Sequence, residues 1–435
     1  MNVNPMKSSR VKTQGIMCIA ILERTLDAVF TDRIPADAWL RNHFRNDRRI
    51  GSRDRRLYGE VVFAVLRWFG PLREAFGKRP HSPEWYALGG AATEGITDPV
   101  CSGWLETVGM NPGSFSALLS LDSPLKRLEA FLSLAGCGKS VSGWDCVLPD
   151  WARGEISFPV DETFGMYMQR RPPLWLRVQV ADTEKVREQL KREGVETEAH
   201  SRISNALIVR NPHVNLLNLK SYRQRRIEVQ DLSSQCIGLA CAPSPGESWW
   251  DVCAGGGGKA LQLASLMGGK GLVTATDIRP GALEELRKRA GYASLSNIHA
   301  EGWDGNILPG KLSGSCDGVL VDAPCSSSGR WRRNPDARWT LTKKRLCELN
   351  RTQARLLELA QEAVKPGGVL VYATCSLFDC ENRGIVEDFL KKHPSFSLEP
   401  FPNPITGGVN DGTCRILPQD ADCDASFTAR FRKER

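Results

Sequence analysis

The chain has 435 residues, enough for two to four domains of ordinary size. With 41% hydrophobic and 25% charged residues it is excluded from wholesale disorder, and no apolar run approaches the ~20 residues a membrane helix needs. A net charge of +8, from 58 basic against 50 acidic residues, is mild, so where the charge lies matters more than its total. Fourteen cysteines without one Cys-x-x-Cys pair read as reduced thiols in a cytoplasmic protein rather than as a zinc or disulfide framework, and no metal is expected.

Near the start, Lys7, Arg10 and Lys12 precede the apolar run Gly15–Leu22, which has the look of a short leader. Glu23, Arg24 and Asp27 follow at once and no small-residue cleavage site is visible, so a helix start is expected instead. Residues 14–76 carry apolar side chains at three- and four-residue spacing, among them Ile19, Leu22, Leu26, Val61, Val65 and Leu66, and predict helices. Arg41–Arg56 holds seven arginines and two aspartates, a pattern suited to phosphate as well as to a solvated helix face. Short helices broken at Gly89-Gly90 and Pro112-Gly113 are expected up to about residue 150.

Residues 151–235 change character. Leu174–Val180 alternates like a strand, Thr183–Glu193 reads as a charged helix and Ala206–Val209 as a second strand, which together suit a small α+β domain. It ends in the basic stretch Lys220–Arg226. From about Pro245 strands and helices alternate: strands at 249–253, 271–276, 298–301, 317–321 and 368–373, helices at 259–267, 281–290, 341–364 and 381–392. Repeated βα units predict a doubly wound, mostly parallel sheet whose ligands lie beyond the carboxyl ends of its strands. The expected division is 1–145, 146–235 and 236–435.

At the first strand-to-helix turn stands Asp251-Val252-Cys253-Ala254-Gly255-Gly256-Gly257-Gly258-Lys259. Glycines let the backbone approach a ligand, and the helix start offers free amides. A P-loop would need Gly at Cys253 and Ser or Thr at Ala260, and a dinucleotide loop would need its third Gly at Ala260 or Leu261. S-adenosylmethionine, with a ribose but no pyrophosphate, fits better. Asp277 closes the next strand and is placed for a ribose diol, and Asp304 for the adenine edge.

Two cysteines close later strands, Cys325 in Asp322-Ala323-Pro324-Cys325-Ser326 and Cys375 in Thr374-Cys375-Ser376. Both point toward the top of the sheet, where a thiolate can attack an electrophilic carbon such as C6 of a pyrimidine. Attack at C6 turns C5 into a nucleophile able to accept a methyl group. Asp322 is the group available to hold N3.

Asp251–Lys259, Asp277, Asp322–Gly329 and Thr374–Ser376 resemble the RNA cytosine-5 methyltransferases of the Sun (NSUN-type) family, of the ribosomal small-subunit type. Val229–Gln235, Arg333–Trp339, Lys365–Gly368, Glu381-Asn382 and Arg415–Pro418 add to the likeness, which covers about 150–435. Ser52–Glu60 with Val65–Trp68 resembles a NusB-like helical RNA-binding domain. The resemblance implies a Rossmann-like S-adenosylmethionine-dependent domain behind a small α+β domain and an all-α domain. It implies Cys375 as the nucleophile, Cys325 in removal of the C5 proton or product release, Asp322 on the base and Lys259 beside them. Cys253, Ala254, Gly255, Gly256, Gly257, Gly258, Lys259, Asp277, Asp304 and Asp322 would contact the cofactor, and the partner would be RNA, 16S ribosomal RNA above transfer RNA, met by a monomer off the membrane.

The chain departs from the family where Gly255-Gly256 replaces Ala-Pro, Ala260 replaces Thr, and Asp424–Phe427 replaces Asp-Gly-Phe-Phe. A third basic stretch, Arg330 to Arg345 with Trp331 and Trp339, is expected to meet phosphates and stack on bases. A non-catalytic RNA-binding factor on the same fold is the competing reading, and the intact Cys325, Cys375 and Asp322 set speaks against it.

Overall fold

The computed structural model describes residues 5–77, 82–137, 143–211 and 215–435. Its contacts divide the chain into two units: 1–154 with 158–170 and 331–341, and 155–157 with 171–330 and 342–435.

The first unit is helical. Pro5–Phe30, Ala36–Asn46, Ser52–Phe76, Pro83–Glu94, Cys101–Val108, Pro112–Leu119, Pro124–Leu134 and Glu162–Gln169 supply its main helices. The heptad-like spacing of Leu57, Val61, Val65 and Leu72 puts all four on the buried face of the third. Gly89 and Gly90, expected to break a helix, lie inside Pro83–Glu94. A Cβ on Gly89 would stand 2.5 Å from Leu72, and one on Gly90 2.9 Å from the Val65 nitrogen. These glycines let two helices touch rather than ending one.

The sequence division fails at its joints. The helical unit reaches residue 154, and it also takes 331–341 out of the middle of the segment expected at 236–435. The long helix expected over 341–364 is correspondingly Lys343–Gln361, with a separate short helix at Pro335–Thr340.

Burial also overturns much of the third basic stretch as an RNA surface. Trp331 is 0%, Arg332 1% and Arg338 0% exposed. The Arg338 guanidinium donates to Gln169 Oε1 at 2.6 Å and to the carbonyls of Val147 at 3.0 Å and Met168 at 3.3 Å. The Trp339 indole donates to the Leu66 carbonyl at 2.6 Å, and its ring fills the space that a side chain at Gly70 would need. A guanidinium fork meets a set of carbonyls as well as it meets phosphates, so these residues organise the helical core.

The second unit holds two sheets. Strands β1 (Leu174–Val178), β2 (Thr197–Ala199), β3 (Ala206–Val209) and β4 (Ile227–Val229) form an antiparallel sheet in the order β2-β3-β1-β4. The large sheet contains β5 (Ser248–Asp251), β6 (Leu272–Asp277), β7 (Ile298–Gly302), β8 (Cys316–Asp322), β9 (Val364–Thr374), β10 (Phe396–Leu398), β11 (Thr413–Ile416) and β12 (Ser426–Lys433). Its order is β10-β12-β9-β8-β5-β6-β7, with β11 against β12. From β7 to β9 neighbours are parallel, while β12 runs antiparallel to β9. Successive residues alternate between its two faces: Trp250, Val319, Val321 and Leu370 pack under the helices Lys343–Gln361 and Arg383–Lys392. Trp249, Leu320, Val369 and Val371 pack under Leu232–Cys241, Gly258–Leu266 and Pro280–Tyr292. This is a Rossmann-like arrangement, and its strand order reverses between β5 and β8, which sets the ligand crevice at their carboxyl ends.

Among the described residues no helix is long and apolar enough to cross a membrane, and no group of three or more His, Cys, Asp or Glu is placed to hold a metal ion.

Candidate active site

The glycine loop leaves β5 at the switch point. Gly255 and Gly257 have φ of +55° and +88°, and a Cβ on Gly257 would stand 2.6 Å from Leu286, so only glycine fits there. The Ala254 amide is tied to the Thr276 carbonyl at 2.8 Å. Arg289 grips the Gly256 carbonyl while its other nitrogen meets Glu228 at 2.7 Å, and Arg177 reaches the Gly258 carbonyl at 3.4 Å. The loop is thus held by Arg289 of the helix Pro280–Tyr292 and by Arg177 and Glu228 of the small sheet, none of which the sequence singled out.

Asp277 closes β6 and is 6% exposed. It accepts from the Gly255 amide at 2.8 Å, and from Arg279 through its amide at 2.9 Å, its Nε at 2.9 Å and its Nη2 at 3.1 Å. Burial alone would raise this carboxyl, and the Arg279 fork with the Gly255 amide more than offsets it and holds it below the usual range. Asp304 follows β7 and is exposed, with its carboxylate turned onto the Asn306 amide at 2.9 Å and side chain at 2.7 Å. Those bonds, backbone first, lower it. Cys253 lies half-buried behind the loop, its thiol pushed up by burial.

Asp322 and Lys259 meet at 2.6 Å. Burial would lower the Lys259 ammonium, but Asp322, with Asp251 and Cys375 nearby, outweighs it and raises it. Asp251, at the end of β5, is 0% exposed, and burial followed by repulsion from Asp322 raises its carboxyl to about 7.

The two cysteines come together: Cys325 Sγ and Cys375 Sγ are 3.4 Å apart. Parallel pairing of β8 with β9 aligns Asp322 with Ala373, which brings both strand ends to one place. A proton shared by two thiols must favour one of them. Donation from Cys325 to Cys375 raises Cys325 and lowers Cys375 despite burial. Ser327 Oγ, 3.6 Å from Cys375 Sγ, and the charge of Arg330 favour the same thiolate. Ser327 has φ +55° without being glycine, a strained placement that sets its Oγ 3.6 Å from the sulfur. So the structure gathers Cys325, Cys375, Asp322 and Lys259 at the β8–β9 ends, and Asp277, Asp304 and the glycine loop at the β5–β7 ends.

The other basic stretches are partly spent on local structure. Arg41 pairs with Asp37 at 2.7 Å, Arg49 with Asp47 at 2.8 Å and Arg56 with Glu60 at 2.9 Å. Arg225 lies over the Tyr222 and Tyr292 rings and 3.7 Å from Glu228.

A family model described as 16S rRNA methyltransferase RsmB/F matches residues 238–432. The probable ribosomal RNA small subunit methyltransferase B of Synechocystis sp. is 31% identical over 65% of this chain and 64% of its own length. Its counterpart of the same description in Bacillus subtilis is 32% identical over 58% of each. The chain therefore spans less than two thirds of these curated relatives. Among solved structures, the crystal structure of PH0851 superposes over 100% of both chains with a TM-score of 0.73 and 25% identity. A methyltransferase homologue from Pyrococcus horikoshii has a TM-score of 0.54 at 26% identity, over 62% of this chain and 90% of its own.

Proposed function

We propose that this chain, whose residues 238–432 match the family model described as 16S rRNA methyltransferase RsmB/F, methylates C5 of a cytosine in ribosomal RNA of the small subunit. The observation that carries the reading is the pair of thiols in contact at 3.4 Å, with Lys259 and Asp322 joined at 2.6 Å beside them.

S-adenosylmethionine is the cofactor proposed, and it supplies an electrophilic methyl group when bound. The fit rests on the glycine turn at Gly255–Gly258, where the positive φ of Gly255 and Gly257 and the contact of Gly257 with Leu286 leave no room for side chains, and on Asp277 at the next strand end. Cys253 and Ala254 belong to the same turn, and Asp304 lies one strand further on.

Cys375, the thiol held toward its anion, attacks C6 of the cytosine, forming a C–S bond and pushing the ring electrons toward C5. Asp322 and Lys259, joined at 2.6 Å, face the N3 edge of the base, and a proton passed to N3 from this pair offsets the negative charge that develops there. After C5 has taken the methyl group, its proton must leave. Cys325 takes part at that stage, in removing the proton or in releasing the product, and the C5–C6 double bond re-forms as Cys375 departs as thiolate. The base must leave its stack to reach these thiols, so a flipped or unpaired cytosine is the substrate form. The helical unit, with exposed Arg45, Arg48 and Arg53, is proposed as the RNA-holding part, in keeping with its NusB-like stretch.

The test is incubation with unmodified 16S ribosomal RNA and, separately, transfer RNA, with methyl-labelled S-adenosylmethionine. Label should appear as 5-methylcytosine in the ribosomal RNA and vanish in Cys375→Ala. Cys325→Ala should accumulate a covalent RNA adduct through Cys375. Label at another atom, or none with the cofactor bound, would refute the assignment.

A further inference from the structure

Behind the two thiols lies a carboxylate that the chemistry above does not use. Glu381, in the short turn Asp379–Glu381 after β9, is 0% exposed. Its Oε1 accepts from the Ser326 amide at 2.8 Å and from Gln353 Nε2 at 2.9 Å. Its Oε2 accepts from the Ser326 hydroxyl at 2.5 Å and from the Ser376 hydroxyl. Ser326 follows Cys325 and Ser376 follows Cys375, so one carboxylate grips the residue next to each thiol. The Ser326 and Ser376 hydroxyls are also 3.2 Å apart, and the Gly329 amide closes the same junction on the Cys375 carbonyl at 2.9 Å. Every donor to Glu381 is neutral. A carboxylate buried without a cation beside it among the described residues is costly to keep, and four converging donors are what make it tenable.

We infer that Glu381 is a positioning residue: it locks the Cys325 and Cys375 loops in one register, so that Cys375 is the thiol that attacks and Cys325 the one that keeps its proton. The inference deepens the two-thiol reading above and rests on it. The two sulfurs alone form a nearly symmetric pair, and something must break the symmetry. Ser327 and Arg330 act on Cys375, and the charge of Glu381 acts on Cys325, adding to what Cys375 and burial already do to raise that thiol. Asp322, Lys259 and Tyr372 are the other titratable groups around the pair, and Cys380 lies near Glu381.

The experiment needs no RNA. The whole chain is treated with iodoacetamide at pH 7.5, and alkylation of the peptides carrying Cys375 and Cys325 is followed by mass spectrometry. In the unmodified protein Cys375 should be alkylated well ahead of Cys325. Glu381→Gln keeps the shape and an acceptor for the Ser326 amide but removes the charge. It should reduce the ratio of the two rates roughly tenfold, while S-adenosylmethionine affinity and melting temperature stay near their original values. In methylation it should lower kcat and leave KM for RNA unchanged. An unchanged ratio, equal rates in the unmodified protein, or joint loss of cofactor binding and melting temperature would each overturn the inference, the last by reducing Glu381 to a structural part. If Glu381→Gln does not fold, Ser326→Ala and Ser376→Ala each remove one grip and must each lower the ratio; no effect in both overturns it. A changed ratio in a protein that methylates some other atom would leave this inference standing and strike only the proposed function.

Discussion

Arg279→Ala should tighten the binding of S-adenosylmethionine. Asp277 already accepts four hydrogen bonds, one from Gly255 and three from Arg279, and a carboxylate offers about four lone-pair sites. A ribose diol can therefore bind only if the Arg279 fork lets go. The guanidinium also stands 3.4 Å from where a Cβ on Gly255 would be, over the cofactor loop itself. The Arg279 side chain is 68% exposed, so solvent screening leaves the pair with only about 0.5–1 kcal/mol. Removing that competition should lower Kd about two- to fivefold. Isothermal titration of the Arg279→Ala and Arg279→Lys variants checks this, with lysine intermediate because it keeps the charge but not the fork. Raising the salt from about 0.05 to 0.5 M should narrow the gap between the original protein and Arg279→Ala, since screening weakens the pair being displaced. Equal or weaker binding by Arg279→Ala would refute the reasoning and make the guanidinium part of the ligand's own site.

Other outcomes follow from the same geometry. Arg338→Met should destabilise the helical unit by about 3–5 kcal/mol, because Gln169, Val147 and Met168 lose their donor inside the core. Arg45→Ala, exposed on its helix, should stay within about 0.5 kcal/mol in the same urea titration. A loss below about 1 kcal/mol for Arg338→Met would restore the view that it serves RNA. Asp251 has its folded carboxyl raised to about 7 from 3.8, so it favours the fold at acidic pH and loses that contribution as pH rises from about 4 through 7. Asp251→Asn should flatten this part of the melting-temperature profile, and an unchanged slope would exclude Asp251 as its source. The thiolate fraction of Cys375 rises with pH through a midpoint held below 9.0. Ser327→Ala should move the midpoint of its alkylation upward and slow the reaction at pH 7.5 by about two- to threefold; an unmoved midpoint would remove Ser327 from the account.

Much of the catalytic fold was written locally. Period-two runs such as Val319–Val321 and Val369–Val371 feed both faces of one sheet, and each strand ends on a chemically loaded turn: Asp251, Asp277, Asp322, Cys375. Strand, turn and helix signals act over a few residues, so alternation and the position of those side chains at strand ends follow from sequence alone. What the sequence could not decide was allegiance and partnership. Trp331–Leu341 carries the cations and aromatics of an RNA surface, yet it belongs to the helical core, because carbonyls 170 or more residues away in the chain meet the Arg338 fork. Gly89 and Gly90 read as breakers until the neighbouring helix is in place. Strand β12, which pairs with β9 and carries β10 on its far side, is fixed by a register between residues about fifty to sixty positions apart. The groups near the two thiols, Ser327 and Arg330 by Cys375 and Glu381 by Cys325, are likewise gathered only in the folded chain. Spacing along a chain fixes which residues share a strand end, whereas hydrogen-bond partners and buried charges are settled by what the rest of the fold carries to them.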